Sequence, residues 1–395
     1  MKKKTLRDID VTNKRVLARV DFNVPIDKTT GAILDDTRIR AALPTIAYLR
    51  EHGAKTVLIS HLGRPDGKVV ESARLAPVAA RLGELLGIDV PCATDVIGTS
   101  ARAVVAALQP GGLAMLENVR FEPGEEKHDP ALAKQLAAFA DLYVNDAFGT
   151  AHRAHASTAG VAAFLPAVAG LLMEKEIDYL GRIVSNPERP VAAIIGGAKI
   201  STKIGVLRHL LSKVDALLIG GGMASTFLKA QGVAVGASLV EDDQLPTARE
   251  IIAEAERRGV TLGLPSDVVI GDRFAADAEH RTVDVDAVPD GWMILDAGPQ
   301  TVTAYEAALR DMKTVVWNGP LGVFEWEPFA EASRALARFL VGLDATVVIG
   351  GGETVALVTE LGLAGRYAHV STGGGASLEF LEGRELPGVA ALLDR

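Results

Sequence analysis

Short apolar runs rich in β-branched residues alternate along the chain with longer segments rich in Ala, Leu, Arg and Glu. Several of these runs are almost continuously apolar, which is typical of strands buried on both faces of a sheet. The predicted strands lie at residues 15–20, 56–59, 113–116, 142–144, 191–195, 216–219, 314–317 and 345–349. Helical stretches lie between them, among them residues 75–86, 132–140 and 247–258. This alternation predicts an α/β fold in which parallel sheets carry helices on both faces.

A second pattern marks a boundary near the middle of the chain. Four apolar residues recur at helical spacing and form one stripe: Met173, Ile177, Leu180 and Val184. The turn-rich segment 185–190 then ends that helix. Because 395 residues are too many for one ordinary core, we predict two lobes, one at 1–170 and one that begins at 187, with a linking helix and hinge at 171–186. A single continuous sheet is the alternative, and the length of the chain disfavours it.

The composition fits this fold and narrows the class of protein. Hydrophobic residues make up 48% of the chain and aromatic residues only 5%, so aliphatic side chains must fill the cores. The formal net charge of −9 argues against a nucleic-acid partner. The one cysteine, Cys92, cannot form a disulfide within the chain, and we interpret it as a small buried apolar residue.

Neither a secretory signal nor a membrane span is predicted. Lys2, Lys3 and Lys4 are followed by polar residues and not by an apolar signal core. The longest apolar stretch, residues 161–173, is interrupted by Pro166 and is shorter than the ~20 residues that a bilayer span needs. We therefore expect a cytoplasmic protein without a membrane partner.

The second half of the chain repeats one local pattern, in which an apolar run is followed by glycines and then by a small or polar residue that opens a helix. The four instances lie at residues 195–199, 219–223, 349–354 and 371–377. Glycine allows the backbone to turn sharply and to approach a ligand closely, and the helix behind it offers unpaired N–H groups. Four such turns favour a phosphate or nucleotide site over the alternative, plain tight turns.

In the first half, the predicted strands end in charged and polar side chains. The residues that follow the strand ends include Arg19, Asp21, Asn23, His61, Arg64, Arg120, Asn145, Asp146, His152, Arg153 and His155. Because ligands of open α/β sheets bind beyond the carboxyl ends of the strands, we expect these groups to converge. Arg64, Arg120 and Arg153, with Arg38 nearby, predict a basic pocket for a small polyanion. The alternative for any one of these arginines is a surface ion pair.

Several familiar motifs are absent from the sequence. It contains no Gly-x-x-x-x-Gly-Lys-Ser/Thr loop, no Gly-x-Gly-x-x-Gly fingerprint, no His-Glu-x-x-His and no Gly-x-Ser-x-Gly. His152 and His155 have a spacing that suits a metal, but the cationic Arg153 lies between them. We therefore favour substrate or structural roles for these two histidines.

Seven motifs, in order along nearly the whole chain, resemble the phosphoglycerate kinase family. They are RVDFNVP at 19–25, SHLGRP at 60–65, LENVRF at 116–121, VNDAFGTAHRAH at 144–155, GGAK at 196–199, VWNGPLGVFEW at 316–326 and STGGGASLE at 371–379. The resemblance implies two Rossmann-like lobes joined by a helix. It also implies reversible phosphoryl transfer between 1,3-bisphosphoglycerate and ADP, which gives 3-phosphoglycerate and MgATP.

The resemblance also implies roles for individual residues. Those matched to phosphoglycerate binding are Asp21, Asn23, Arg38, His61, Arg64, Arg120 and Arg153. Those matched to nucleotide binding are Gly197, Lys199, Lys203, Gly221, Asn318, Pro320, Glu325, Gly351, Gly352, Glu353 and Thr354. Arg38, Lys203 and Lys199 are the expected catalytic residues, and Gly373, Gly374 and Gly375 form the expected anion-stabilising helix N-terminus.

The resemblance completes the expected organisation of the protein. The first lobe, 1–170, would bind phosphoglycerate, the second, 187–376, would bind the nucleotide, and residues 377–395 would return to the first lobe. The expected cofactor is Mg²⁺ carried by the nucleotide, and the expected oligomeric state is a monomer. Since transfer needs the reacting atoms within ~3–3.5 Å, hinge closure is expected when both ligands bind.

Two positions depart from the family's usual pattern. Glu353 stands where the family usually has Asp, which contacts the metal, and Mg²⁺ tolerates little error in ligand geometry. We expect Glu353 to serve in its place, and it is our candidate metal ligand. Ile294 stands where the family usually has Gly, and its branched side chain is expected to narrow the nucleoside pocket.

Two other functions were weighed against the kinase. A NAD-dependent dehydrogenase also uses glycine turns after strands, but the missing dinucleotide fingerprint argues against it. A catalytically silent nucleotide-binding regulatory protein on the same fold is the second alternative. The retention of Arg38, Lys199 and Lys203 argues against that alternative, because a chain without activity is free to lose them.

Overall fold

The computed structural model describes residues 2–27 and 29–395 and divides the chain into two compact units. The first comprises Met1–Asp178 and Glu385–Arg395, and the second comprises Tyr179–Arg384. The division therefore falls inside the segment 171–186 that was predicted to link two lobes. The chain returns to the first unit at Glu385 and not at residue 377, because a helix at Gly375–Leu381 still packs within the second unit.

A five-stranded parallel sheet organises the first unit, with its strands in the order β3-β2-β1-β4-β5. The strands are β1 Arg15–Arg19, β2 Lys55–Ile59, β3 Leu113–Met115, β4 Leu142–Asn145 and β5 Ala167–Ala169. The helices are α1 Thr37–Glu51, α2 Ala76–Leu86, α3 Thr99–Ala106 and α4 Pro130–Ala137, and α5 Leu171–Ser185 leads into the second unit. Strand residues Val16, Leu58 and Val144 pack in one buried cluster with Ile39 of α1 and Leu82 of α2. The aliphatic runs of the sequence thus become the interior of the sheet.

The second unit holds a six-stranded parallel sheet in the order β14-β13-β12-β6-β7-β8 and a separate three-stranded antiparallel sheet in the order β10-β9-β11. The strands are β6 Val191–Ile195, β7 Ala216–Ile219, β8 Thr261–Gly263, β9 Asp267–Gly271, β10 His280–Asp284, β11 Met293–Ala297, β12 Thr314–Asn318, β13 Thr346–Gly350 and β14 His369–Val370. The helices are α6 Ile204–Leu210, α7 Met223–Ala230, α8 Leu245–Arg258, α9 Pro299–Leu309, α10 Glu331–Val341, α11 Gly352–Glu360 and α12 Gly375–Leu381.

The end of the chain completes the first unit. Helix α13, Pro387–Ala390, lies in this segment, and the buried Leu386, Val389 and Leu392 add apolar side chains to the unit. The Leu393 amide donates to the carbonyl of Ala167 in β5 over 3.0 Å, so the segment is tied directly to the sheet.

The α/β class is confirmed, and each of the eight predicted strands is present with ends within one residue of the prediction. The pattern does not predict the antiparallel sheet or the edge strands β5, β8 and β14. Strand β10 is polar and mostly exposed, and the three edge strands have three residues or fewer. A polar, exposed strand such as β10 gives no apolar run in the sequence, but length alone does not explain the other strands, because the predicted β3 also has three residues.

The strand order fixes where ligands are expected to bind. In the first sheet β1 lies between β2 and β4, and in the second β6 lies between β7 and β12. The order of the strands along the chain reverses at β1/β4 and at β6/β12, and open parallel sheets bind ligands beyond the carboxyl ends at such a point. Those ends are Arg19 and Asn145 in the first unit, and Ile195 and Asn318 in the second.

No helix within the described ranges is long and apolar enough to cross a membrane.

Candidate active site

The first sheet gathers the predicted substrate residues from five separate elements. They are Asp21 and Asn23 after β1, His61 and Arg64 after β2, Arg120 after β3, Arg153 after β4 and Arg38 in the first turn of α1. Besides burial, the positive charges of four guanidinium groups, on Arg19, Arg120, Arg38 and Arg153, lower the pKa of His61. Residues spread over more than 130 positions of sequence therefore form one basic cluster in a protein of net charge −9.

Asp21 is the acidic centre of this cluster. Its Oδ2 accepts a hydrogen bond from Nη1 of Arg38 at 2.8 Å, and its Oδ1 lies 4.0 Å from Nδ1 of His61. The same Oδ1 accepts from the amide of Asn23 at 3.2 Å, while Oδ1 of Asn23 accepts from the amide of Gly63 at 2.9 Å. The side chain of Arg38 remains 39% exposed, so part of its guanidinium is open to a ligand.

His61 is neutral at physiological pH. The residue is only 4% exposed, and burial followed by the neighbouring arginines holds its pKa well below the usual 6.5. A neutral imidazole has one donor and one acceptor nitrogen, which makes it a directional group among four cations. The ring can therefore orient a ligand without adding another charge.

The remaining arginines differ in how firmly they are held. Arg120 is 3% exposed, donates from Nη1 to the carbonyl of Gly63 at 2.7 Å and pairs through Nε with Glu126 at 3.2 Å. Arg153 donates from Nε to Nε2 of His152 at 3.2 Å. Arg64 is exposed, and within the described ranges its side chain makes no hydrogen bond or ion pair. Arg120 is thus fixed in place, whereas Arg64 is open to solvent.

His152 and His155 both lie beside protein side chains. His152 accepts from Arg153, and Nδ1 of His155 lies 3.7 Å from Oε1 of the buried Glu125. Burial and nearby arginines lower the pKa of His155 to about 4. Within the described residues no group of three or more His, Cys, Asp or Glu side chains is arranged to hold a metal ion.

Sequence reasoning missed the buried layer behind this cluster. Arg19, Glu125 and Ser157 are 1%, 0% and 0% exposed, and their side chains are joined by hydrogen bonds. A charged residue at the end of an apolar run is a signal that marks Arg19. Glu125 and Ser157 lie in irregular segments without such a signal, and only the tertiary structure brings them to Arg19.

Three glycines allow the loops after β6, β7 and β12 to pack backbone against backbone. A Cβ atom on Gly196 would lie 2.0 Å from the carbonyl oxygen of Pro320, and one on Gly319 would lie 2.3 Å from the carbonyl oxygen of Gly196. A Cβ on Gly221 would lie 2.5 Å from the amide nitrogen of Gly197. No side chain fits at these crossings, so these glycines shape the site by packing against each other as well as by leaving room for a ligand.

Lys203 and Asn318 form the polar centre of this second site. Nζ of Lys203 donates to Oδ1 of Asn318, and burial lowers the pKa of Lys203, while the charge of Glu353 acts in the opposite direction. Asn318 is 2% exposed, and its Nδ2 donor has no acceptor in the described part of the protein. A Cβ on Gly351 would lie 3.2 Å from this amide group. A buried amide donor without a partner beside an ammonium group suits a ligand that carries negative oxygen atoms.

The other predicted nucleotide residues fall into two groups. Lys199, Glu325, Gly352 and Glu353 are exposed, and no atom lies within 4 Å of a Cβ built on Gly352. Thr354 is fully buried instead, and its hydroxyl accepts from the amide of Gly319 at 2.7 Å. The hydroxyl of Thr354 therefore holds the loop after β12, and its contact with a nucleotide stays a prediction.

The glycine turn at 371–377 also differs from the expectation. The amide of Gly373 donates to Oγ of Ser371 at 3.1 Å, so it is not a free donor for an anion. The φ of Gly374 is +52°, and helix α12 behind it has seven residues. The role of Gly373, Gly374 and Gly375 as an anion-stabilising N-terminus stays a prediction.

Ile294 lies in β11, on the antiparallel sheet of the second unit. Its amide donates to Oγ of Ser238 at 2.8 Å. Its side chain packs against a small buried cluster formed by Val268, Ile270 and Val288. Packing in this cluster accounts for a branched apolar side chain at position 294.

The chain is similar to known proteins along nearly its whole length. The family model described as phosphoglycerate kinase matches residues 6–384. Phosphoglycerate kinases of Moorella thermoacetica and Synechococcus elongatus are each 59% identical to the chain, and each alignment covers 100% of both sequences.

Solved structures give the same result. The structure of phosphoglycerate kinase from Coxiella burnetii superimposes with a TM-score of 0.91 and covers 98% of both chains. The two sequences are 43% identical. Phosphoglycerate kinase from Pyrococcus horikoshii is 34% identical, with a TM-score of 0.84 and the same coverage.

A matched pair of substitutions can test how tightly the loops after β6 and β12 pack against each other at Gly196. We expect Gly196→Ala to lower the free energy of unfolding of the second unit by roughly 1–3 kcal/mol, because its Cβ has no space. Gly352→Ala, at the open start of α11, is the control and should change it by less than about 0.5 kcal/mol. All three tryptophans, Trp292, Trp317 and Trp326, lie in the second unit, so denaturant unfolding followed by tryptophan fluorescence reports on it. Equal changes in the free energy of unfolding for the two substitutions would show that the backbone packing at Gly196 leaves room for a Cβ atom.

Proposed function

The chain belongs to the phosphoglycerate kinase family, and on that basis we propose how its residues carry out the reversible transfer of a phosphoryl group between 1,3-bisphosphoglycerate and ADP, which gives 3-phosphoglycerate and ATP. The enzyme is a phosphotransferase whose acceptor is a carboxyl group. The observation that carries the residue assignment is the guanidinium cluster around the neutral His61 at the carboxyl ends of the first sheet. A small polyanion is the ligand that such a cluster fits.

In this proposal the first unit binds the phosphoglycerate. Arg64, Arg120 and Arg153 would neutralise its phosphate and carboxylate, while His61, Asp21 and Asn23 would orient its polar groups. Support comes from the contacts that hold Arg120 and Asp21 in fixed positions before a ligand arrives. Groups that are already oriented lose little conformational entropy when the substrate binds.

The second unit would bind the nucleotide. Lys203, Lys199 and Nδ2 of Asn318 would contact the phosphates, helped by the backbone of the glycine loops at Gly197, Gly221 and Gly351–Gly352. The loop at Pro320 and the exposed Glu325 would line the nucleoside side of the site. The unpaired Nδ2 of Asn318 beside Lys203 supports this assignment, since both are donors for phosphate oxygen.

The proposed mechanism needs no general base. In the ATP-consuming direction the acceptor is a carboxylate, whose reference pKa of about 4 leaves it ionised at neutral pH. The residues therefore need only to align the reactants and to neutralise charge on the moving phosphoryl group. We assign the neutralisation to Arg38 from the first unit and to Lys203 from the second, with Gly374 and Gly375 as further donors.

The residues present also fit a magnesium ion that arrives with the nucleotide. No protein cage of three or more ligands is found in the described ranges, and Mg²⁺ in kinases is usually held by one or two carboxylates plus substrate phosphates. Glu353, exposed at the start of α11 and close enough to Lys203 to influence its pKa, would be that carboxylate. When bound, the ion would neutralise part of the phosphate charge.

The first test is ADP production from MgATP by the purified protein, with and without 3-phosphoglycerate. We expect turnover that requires both the acid and Mg²⁺. Arg38→Ala or Lys203→Ala should lower kcat by roughly 100-fold or more, since each removes one preorganised charge donor. The controls are Arg40→Ala in α1 and Lys229→Ala in α7, whose exposed ion pairs lie outside the proposed site. A loss of less than tenfold in the two site variants would refute their assigned role.

Binding of both substrates should bring the two units together. The proposed sites belong to different units, and in-line transfer requires the reacting atoms within ~3–3.5 Å. Small-angle scattering should therefore show a smaller radius of gyration with 3-phosphoglycerate and a non-reactive ATP analogue together than with either one alone. An unchanged radius in the ternary complex would contradict closure.

The role of Glu353 predicts a change in metal dependence. Glu353→Ala should raise the Mg²⁺ concentration for half-maximal activity roughly tenfold at fixed ATP, because one oxygen ligand or its bridging water is lost. Glu353→Asp should bring the Mg²⁺ concentration for half-maximal activity back toward that of the parent enzyme. Glu360→Ala, at the far end of the same helix, is the control and should leave this concentration unchanged. Identical Mg²⁺ titrations for Glu353→Ala and the parent enzyme would remove Glu353 from the metal site.

A further inference from the structure

A buried chain of hydrogen bonds runs from Glu125 to His61. Oγ of Ser157 lies 2.5 Å from Oε1 of Glu125, and the Ser157 amide donates to Oε2 of Glu125 at 2.9 Å. Nε of Arg19 lies 3.0 Å from Oγ of Ser157, and Nη2 of Arg19 lies 3.1 Å from Nδ1 of His61. The third nitrogen of Arg19 donates to the carbonyl of Val20. Each of the three guanidinium nitrogens of Arg19 therefore makes one polar contact inside the protein.

The chemistry of arginine sets the direction of every bond in this chain. A guanidinium group has only donors, so the oxygen of Ser157 and Nδ1 of His61 must both accept from Arg19. The hydroxyl hydrogen of Ser157 is then free to donate to Glu125. Because Nδ1 of His61 accepts, it carries no proton, and the ring is neutral with its single proton on Nε2.

We infer that Arg19, anchored by Glu125 through Ser157, is a positioning residue that holds His61 in the neutral form with its proton on Nε2, so that this nitrogen donates to an oxygen of the bound phosphoglycerate. The identity of that ligand rests on the proposed function. The protonation state of His61 does not, because it follows from contacts within the first unit.

The surroundings of His61 explain why such a device is needed. Oδ1 of Asp21 lies 4.0 Å from Nδ1, and a carboxylate at this place favours a proton on Nδ1. Arg19 donates a hydrogen bond to this same Nδ1, so Nδ1 cannot also carry a proton. The other charged groups that influence the pKa of the ring, Arg38, Arg120 and Arg153, are all cations and act in the same direction as Arg19.

Glu125 compensates the buried charge of Arg19. Burial raises the pKa of Glu125, while Arg19 and the two hydrogen bonds from Ser157 act against that rise. A buried cation requires a compensating anion and satisfied donors, and removal of one partner leaves the other charge without compensation. Glu125 and Arg19 are therefore best replaced together when the protein's fold must be preserved.

The protonation state can be read directly by NMR. Long-range ¹H–¹⁵N correlation spectra of protein with ¹⁵N-labelled histidine distinguish the two neutral tautomers and the cation, and His61→Gln assigns the signals of His61 among the eight histidines. We expect the unliganded protein to show His61 neutral with the proton on Nε2 from pH 5.5 to 8. A protonated ring, or a proton on Nδ1, would overturn the inference irrespective of activity.

Substitutions then test whether Arg19 is the cause. Arg19→Met, alone and together with Glu125→Gln, should yield a mixture of tautomers and raise the pKa of His61 toward its usual value, because a neighbouring cation and donor are lost. Ser157→Ala should change the tautomer ratio and the pKa of His61 in the same direction as Arg19→Met. This variant provides the test if the Arg19 variants do not fold. Arg15→Met is the matched control, since Arg15 lies on the same strand with an exposed ion pair to Asp141.

Kinetics separate this positioning role from a structural one. In the folded variants we expect KM for 3-phosphoglycerate to rise about tenfold or more, while KM for ATP stays within twofold. A folded Arg19→Met variant with unchanged His61 signals and unchanged KM for 3-phosphoglycerate would contradict the inference. If the parent protein has no turnover with 3-phosphoglycerate, the proposed function fails, whereas the NMR result still decides the role of Arg19.

Discussion

The concentration of positive charge around one buried imidazole is the constraint on which the first unit depends. Four guanidinium groups influence His61, although like charges repel and buried charges lose hydration. The fold offsets this cost with the carboxylates of Asp21, Glu125 and Glu126. Glu126 lies close in sequence to Arg120, whereas Glu125 lies far along the chain from Arg19 and reaches it only in the folded protein. The parallel sheet makes this arrangement attainable, because it directs the carboxyl ends of five strands to one edge.

The second unit is built differently, since its proposed nucleotide site consists of backbone amides and one lysine. Glycines at the crossings of three loops let the main chains touch, and the buried hydroxyl of Thr354 holds the loop that contains Gly319. The amide of Asn318 then fixes Lys203 through one atom and retains the other for a ligand. Here packing between backbones, rather than paired charges, sets the geometry of the site.

The absence of the Gly-x-Ser-x-Gly and His-Glu-x-x-His motifs from the sequence agrees with the chemistry of a carboxylate acceptor. Such an acceptor is already ionised, so the protein contributes position and charge rather than proton transfer. The two histidines of the first unit agree with this chemistry. The pKa of His61 and that of His155 are both lowered, and each ring is neutral at physiological pH.

The sequence by itself determined the α/β class and eight strands of the two parallel sheets, because these depend on local patterns. Apolar runs placed eight strands of the two parallel sheets to within one residue, and the polar or glycine residues after them predicted where ligands bind. Only the tertiary structure decided the antiparallel sheet, the return of the chain at Glu385, and the hydrogen bonds that join Thr354 to Gly319 and Gly373 to Ser371. It also joined Glu125 and Ser157 to Arg19. Periodicity reports how deeply a segment is buried. It does not report which residues from distant parts of the chain become hydrogen-bond partners, and only the folded structure shows those pairs.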